Sequence, residues 1–133
     1  MTETAPRLDA ATVEAFVGNA HGDLAEVERL LDAAPALVNA AWDWGGGDWE
    51  TALGAASHMG RRDIAELLIA HGARVDLFAA AMLDLDDVVR ALLDGFPELR
   101  DAKGPHEIPL RAHAEAGDAR RVLALLDERA QPR

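Results

Sequence analysis

The stretch TALGAASHMGRRDIAELLIAHGARVD, residues 51–76, decides the fold. Its second half sets Ala65, Leu68 and Ile69 at i, i+3 and i+4, which places them on one face of an α-helix. Its first half, Ala52 to His58, is rich in small residues, which let a second helix approach closely. Between the halves stands Gly60-Arg61, a turn signal, and Gly72 terminates the second helical pattern. The stretch therefore predicts a helix, a tight turn and a second helix.

The same aliphatic spacing occurs on either side, in Val27-x-x-Leu30-Leu31, Val89-x-x-Leu92-Leu93 and Val122-x-x-Leu125-Leu126. The four copies are 38, 24 and 33 residues apart, an unequal period that loops of different length accommodate. Turn signals recur at Gly22-Asp23 and Gly117-Asp118, and Asp84 holds the matching place in the third copy. Ala-rich stretches precede each turn, at Glu14 to Ala20, Phe78 to Met82 and Leu110 to Ala116, while Pro35 and Pro97 follow helical patterns as terminators. Alternating strand periodicity is absent. The chain reads as all-α with short hairpin-like connections, the most extended and Gly-rich being Trp42 to Asp48.

These residues resemble the ankyrin repeat, whose unit runs Asp-x-x-Gly-x-Thr-Pro-Leu-His-x-Ala-Ala-x-x-Gly and closes on Leu-Leu-x-x-Gly-Ala-x-Val. Thr51 to Gly60 followed by Leu67 to Asp76 matches best, and the last copy keeps Pro109-Leu110 and Gly117-Asp118. The first copy looks degenerate, closing through Asp32 to Asn39, and the third, Phe78 to Pro97, has lost most of its hairpin. The resemblance implies one domain over 1–133, a solenoid of four stacked helix-turn-helix units at about 12–41, 42–76, 77–102 and 103–130. One helix pair cannot bury its apolar face alone, so the units must stack.

Composition narrows the partners. Of 133 residues half are hydrophobic, and 13 basic against 24 acidic side chains leave a net charge of -11. That charge argues against nucleic acid, which needs clustered Lys and Arg. Without cysteine there is no disulfide or thiol chemistry. Met1 to Asp9 holds no apolar leader core, and no run of about 18 apolar residues exists for a membrane span. The expectation is a cytoplasmic monomer.

In the family, partners touch the hairpin tips and the exposed ends of the first helices. Carried over, these are His21, His58-Met59, Met82-Leu83 and Glu115-Ala116 at helix ends, with Asp48 and Glu50 and then Gly104, Pro105 and Glu107 in hairpins. His106 lies beside them, and His113 occupies a position where the family has Ala. All three tryptophans, Trp42, Trp44 and Trp49, fall in one Gly-rich connection. They either cover the inner helices or form an aromatic wall for a ligand or partner. His21, His58, His106 and His113 are candidates to converge, and His58 with Asp48 or Glu50 would make an acid–base pair. His71, at a helix C-terminus, reads as structural.

No metal or cofactor is expected. No histidine pair has i, i+4 spacing and HExxH is absent, so His58, His106 and a carboxylate would have to meet through the fold alone. Gly45-Gly46-Gly47 lacks the Lys-Ser/Thr of a phosphate loop. The leading expectation is a module that binds a protein, or a peptide of basic character, on its concave face. Trp42, Trp44, His58, Met59 and Met82 would anchor it, and Asp48, Glu50 and Glu107 would select charge, so that Glu50→Lys weakens binding at unchanged melting temperature. The alternative is a small-molecule protein or enzyme of isomerase, cyclase or dehydratase type, with the Trp-rich loop closed over the histidines.

Overall fold

The computed structural model describes residues 5–130. The first four residues of the segment read as leaderless, and 131–133 of the expected domain, lie outside the described residues. Eight helices follow in order: α1 Ala10–Asn19, α2 Leu24–Ala33, α3 Ala52–His58, α4 Arg62–Ala70, α5 Leu77–Met82, α6 Asp86–Gly95, α7 Leu110–Ala116 and α8 Arg120–Ala130. Consecutive helices pack in pairs, and the first members form a row in which α1 meets α3, α3 meets α5 and α5 meets α7. Behind them α2 meets α4 and α6 meets α8.

Helix starts follow from side-chain caps. Asp9, Asp23, Thr51 and Asp76 each accept a hydrogen bond from the amide three residues on, at 2.8–3.1 Å, which satisfies a donor that the first helical turn leaves open. The aliphatic residues of the four copies point inward as their spacing requires: Val27, Leu30, Leu31, Ala65, Leu68, Val89, Leu93, Val122, Leu125 and Leu126 are buried, and Ile69 and Leu92 are half-buried. The Ala-rich helices α3 and α5 are buried almost throughout, Ala52, Ala55, Ala56, Ala79, Ala80 and Ala81 having no exposed surface, whereas α1 and α7 bury one face. Pro35 and Pro97 do more than stop helices, since each begins a 3-10 turn, Pro35–Asn39 and Pro97–Asp101, that leads the chain into the next hairpin.

The connections carry a little strand. β1 Ala41–Asp43 pairs antiparallel with β2 Trp49–Thr51, setting Trp42 opposite Glu50. The counterpart before α7 is a single bridge between Lys103 and Pro109. No such hairpin precedes α5, which follows α4 after a short link. With nothing standing in front of α5, α3 touches α7 directly, and the two hairpins flanking the gap lie side by side.

The turns interlock. Arg61 donates to the Gly22 carbonyl at 2.7 Å, Arg62 to that of Leu83 at 3.0 Å and Arg121 to that of Asp84 at 3.1 Å, filling acceptors left open at helix C-termini. Asp84 sits at φ 61° and its carboxylate accepts from the Val122 amide at 2.9 Å, so one turn caps the helix of the next pair. Asp84→Ala is expected to lower stability by about 1–2 kcal/mol in urea titrations, through loss of the cap and strain at positive φ, and Asp84→Asn by less than half of that.

Three expectations for exposed residues fail on packing. Met82 and Leu83 are buried where α5 sinks between α3 and α7, so neither anchors a partner or a dimer. Glu50 is buried too, because the alternation along β2 turns it inward while Trp49 faces out.

Candidate functional site

Glu50 stands at the centre of the seam between the hairpins. Its side chain has no exposed surface, and its two oxygens face four nitrogen atoms. Oε1 accepts from Trp44 Nε1 at 2.9 Å and faces His21 Nε2 at 3.1 Å. Oε2 faces His58 Nε2 at 3.0 Å and His106 Nε2 at 3.2 Å. Burial alone would raise the carboxyl's pKa, yet the neighbouring His21 and His58 imidazoles and the Trp44 indole outweigh it and hold the group down at about 2. In return the Glu50 carboxylate raises the pKa of His21.

Each ring arrives on a different element. His21 follows α1 in the first turn, and its Nδ1 bonds to the Gly18 carbonyl at 3.0 Å. His58 is the last residue of α3. His106 sits in the hairpin before α7, at φ 61° and followed by Glu107 at φ 60°, two consecutive left-handed residues without glycine. Such backbone costs on the order of 1 kcal/mol or more per residue and persists where contacts hold it. Asp48 supplies those contacts across the seam: its carboxylate accepts from the His106 amide at 2.7 Å and faces His106 Nδ1 at 2.6 Å. The bond from the His106 amide is the main cause that lowers the Asp48 pKa.

The tryptophans divide their roles. Trp42 packs against the core, and Trp44 rests on α1, with its ring 3.8 Å from where a Cβ on Gly18 would lie. Asp43 binds the Gly45 and Gly47 amides and shapes the hairpin tip, where all three glycines have positive φ. Only Trp49 presents most of its ring to solvent, at 62 % exposure. In front of it an open cleft of ≈ 800 Å³ runs between the hairpins, lined by Asp48, Trp49, Asp76, Phe78, Lys103 and Glu107 among others.

The structure thus brings together His21, Trp44, Asp48, Glu50, His58 and His106. His113 does not reach Glu50, although its ring stands edge-on to that of His58 with centroids 6.5 Å apart. It is fully buried against Phe78, its Nδ1 donates to the Pro109 carbonyl at 2.9 Å, its Nε2 has no partner, and burial pushes its pKa down. Met59 is half exposed at the end of α3. Gly104, a hairpin position by its place in the sequence, has a second role that no spacing reveals. A Cβ there would stand 3.0 Å from the His113 ring and 3.3 Å from Phe78, so any larger residue needs those rings to give by a few tenths of an ångström.

The histidine cluster straddles a unit that known proteins share. Residues 48–79, from the hairpin through α3 and α4 to the start of α5, match the ankyrin-repeat family model. The match spans the length of one repeat, 32 of the 133 residues. That repeat contains Glu50 and His58, whereas His21 and His106 come from segments on either side of it. No curated protein and no solved structure matches the chain. Among the described residues no helix is long and apolar enough to cross a membrane.

Proposed function

We propose that the chain is an interaction module, a bent solenoid of four repeats at about 12–41, 42–76, 77–102 and 103–130, acting as a cytoplasmic monomer. It binds a protein segment in the cleft between the hairpins. The exposed indole of Trp49 carries this reading. A largely solvated tryptophan beside an open groove is the kind of anchor on which binding energy concentrates, since an aromatic ring gains area and little entropy is lost in fixing it. The groove holds Asp48, Asp76 and Glu107 against Lys103, and the whole chain is acidic, so a segment with Lys or Arg beside an apolar side chain is the matching partner.

The anchor set changes accordingly: Trp49 replaces Trp42 and Met82, and Glu107 takes the charge selection that the sequence alone assigns to Glu50. An enclosed pocket over His58, which the enzyme alternative needs, finds no support in a cleft that is open and centred on the hairpin tips. Native mass spectrometry of gently purified protein tests the module. A chain that co-purifies with the wild type is expected to be lost in Trp49→Ala and in Glu107→Lys, with melting temperatures within about 2 °C of wild type, because both side chains are exposed. Retention of that chain by both variants overturns the proposal.

A further inference from the structure

We propose that His21, Glu50, His58 and His106 form a binding site for one divalent transition-metal ion of the zinc class. One ligand atom from each of the four lies within 4.8 Å of all the others. The three imidazoles present the same atom, Nε2, to the same carboxylate, at 3.0–3.2 Å. A tetrahedral site with bonds of about 2 Å separates its ligand atoms by about 3.4 Å, so the cluster stands within small side-chain rotations of a coordination shell. Three imidazoles and a carboxylate suit zinc, cobalt, nickel or iron better than calcium or magnesium, which favour oxygen.

Hydrogen-bond bookkeeping favours an ion over a network of rings alone. His21 bonds the Gly18 carbonyl through Nδ1 and meets Glu50 through Nε2. His106 meets Asp48 through Nδ1 and Glu50 through Nε2. Both rings therefore face an oxygen at each nitrogen, with ring centroids 6.2 Å apart. An ion at the centre lets each ring keep its Nδ1 proton and offer the Nε2 lone pair. The outer partners are then those that orient metal-bound histidines, a backbone carbonyl for His21 and a carboxylate for His106. The His21 and His106 side chains are 27 % and 33 % exposed, which leaves a path for the ion, while Glu50 and His58 form the closed floor.

The test uses the full chain, stripped with chelator and titrated with Co²⁺, then with Zn²⁺ in competition. The expected result is one equivalent of Co²⁺ with visible d–d absorption of a four- or five-coordinate centre, displaced by one equivalent of Zn²⁺, and a melting temperature raised by Zn²⁺. His106→Ala, on an exposed hairpin, is expected to weaken Co²⁺ binding at least 100-fold while circular dichroism stays unchanged, and Asp48→Asn to weaken it about tenfold. His71→Ala, at the end of α4, should bind as wild type. If His58→Ala fails to fold, His106→Ala decides alone. Dissociation constants above about 1 mM, binding that survives His106→Ala, or binding lost in His71→Ala would each overturn the site and leave a proton-shared network of rings around Glu50.

Discussion

Gly117→Ala is expected to cost about 3 kcal/mol of stability or more, and Gly60→Ala at least as much. A Cβ on Gly117 would lie 2.0 Å from the Met82 carbonyl oxygen and 2.9 Å from its carbon, both backbone atoms of α5 that cannot swing aside as a side chain does. On Gly60 it would lie 2.2 Å from the Ala116 carbonyl oxygen, and φ there is +66°, which adds the strain of a left-handed residue. Relief in either case requires the turn to move away from its neighbour, which opens the contacts among α3, α5 and α7. Gly95 gives the contrast. It ends α6 with no atom within 4 Å of the place a Cβ would take and no positive φ, so Gly95→Ala is expected to raise stability by about 0.5–1 kcal/mol. Urea unfolding with a common slope reads all three. Equal shifts for positions 117 and 95 would contradict the close approach of the turns.

Glu50→Ala is the second large effect, a loss of about 3–5 kcal/mol measured with chelator present so that no bound ion contributes. The substitution removes the one acceptor shared by the Trp44 indole and the Nε2 atoms of His21, His58 and His106, and it leaves a void under His58, the most enclosed of the three rings at 9 % exposure. Glu50→Gln keeps the volume and one acceptor oxygen but turns an amide NH₂ toward rings that need acceptors, so it is expected to lie between Ala and wild type. For Glu50→Lys the sequence alone suggests a fold left intact. With the side chain wholly enclosed the change instead places an ammonium among imidazoles, and a fall in melting temperature is the outcome. Trp44 emission should shift with each variant, since its Nε1–H loses the bond to Oε1. A melting temperature unchanged in Glu50→Ala would mean that Glu50 is solvated and the seam open.

The helices are legible in the sequence because their signal is local. Val or Ala with two aliphatic residues at i+3 and i+4 marks each second helix, and in the structure those residues are buried at all four places with little exception. The caps at Asp23, Thr51 and Asp76 stand at the same helix starts that the turn and repeat pattern suggests. The faces are harder. Met82 and Leu83 occupy a helix end that the repeat pattern exposes, and they become core only because α5 sinks behind its neighbours. Glu50 changes sides for a related reason, since a three-residue strand fixes inside and outside by alternation that is too short to read in the sequence. As for the histidines, residue type is informative and spacing is not. Metal and catalytic patterns are read within one helix or loop, whereas here the ligand atoms come from a turn, a strand, a helix end and a hairpin.

That His106 stands 48 positions beyond His58 in the chain also orders events in time. The chain leaves the ribosome with residues 21, 50 and 58 first, and helices α1 to α4 can gather around Phe16, Leu31, Ile64 and Leu68 while the rest is still being made. At that stage Glu50 has two of its three imidazoles, and the flank of the seam that faces His106 is wet. His106 and the brace from Asp48 are joined only after α5 and α6 have been synthesised and α7 has docked against α3. Closure of the seam is thus a late step of biogenesis, and the nascent protein carries an unfinished Glu50 cluster until its last helix pair is in place.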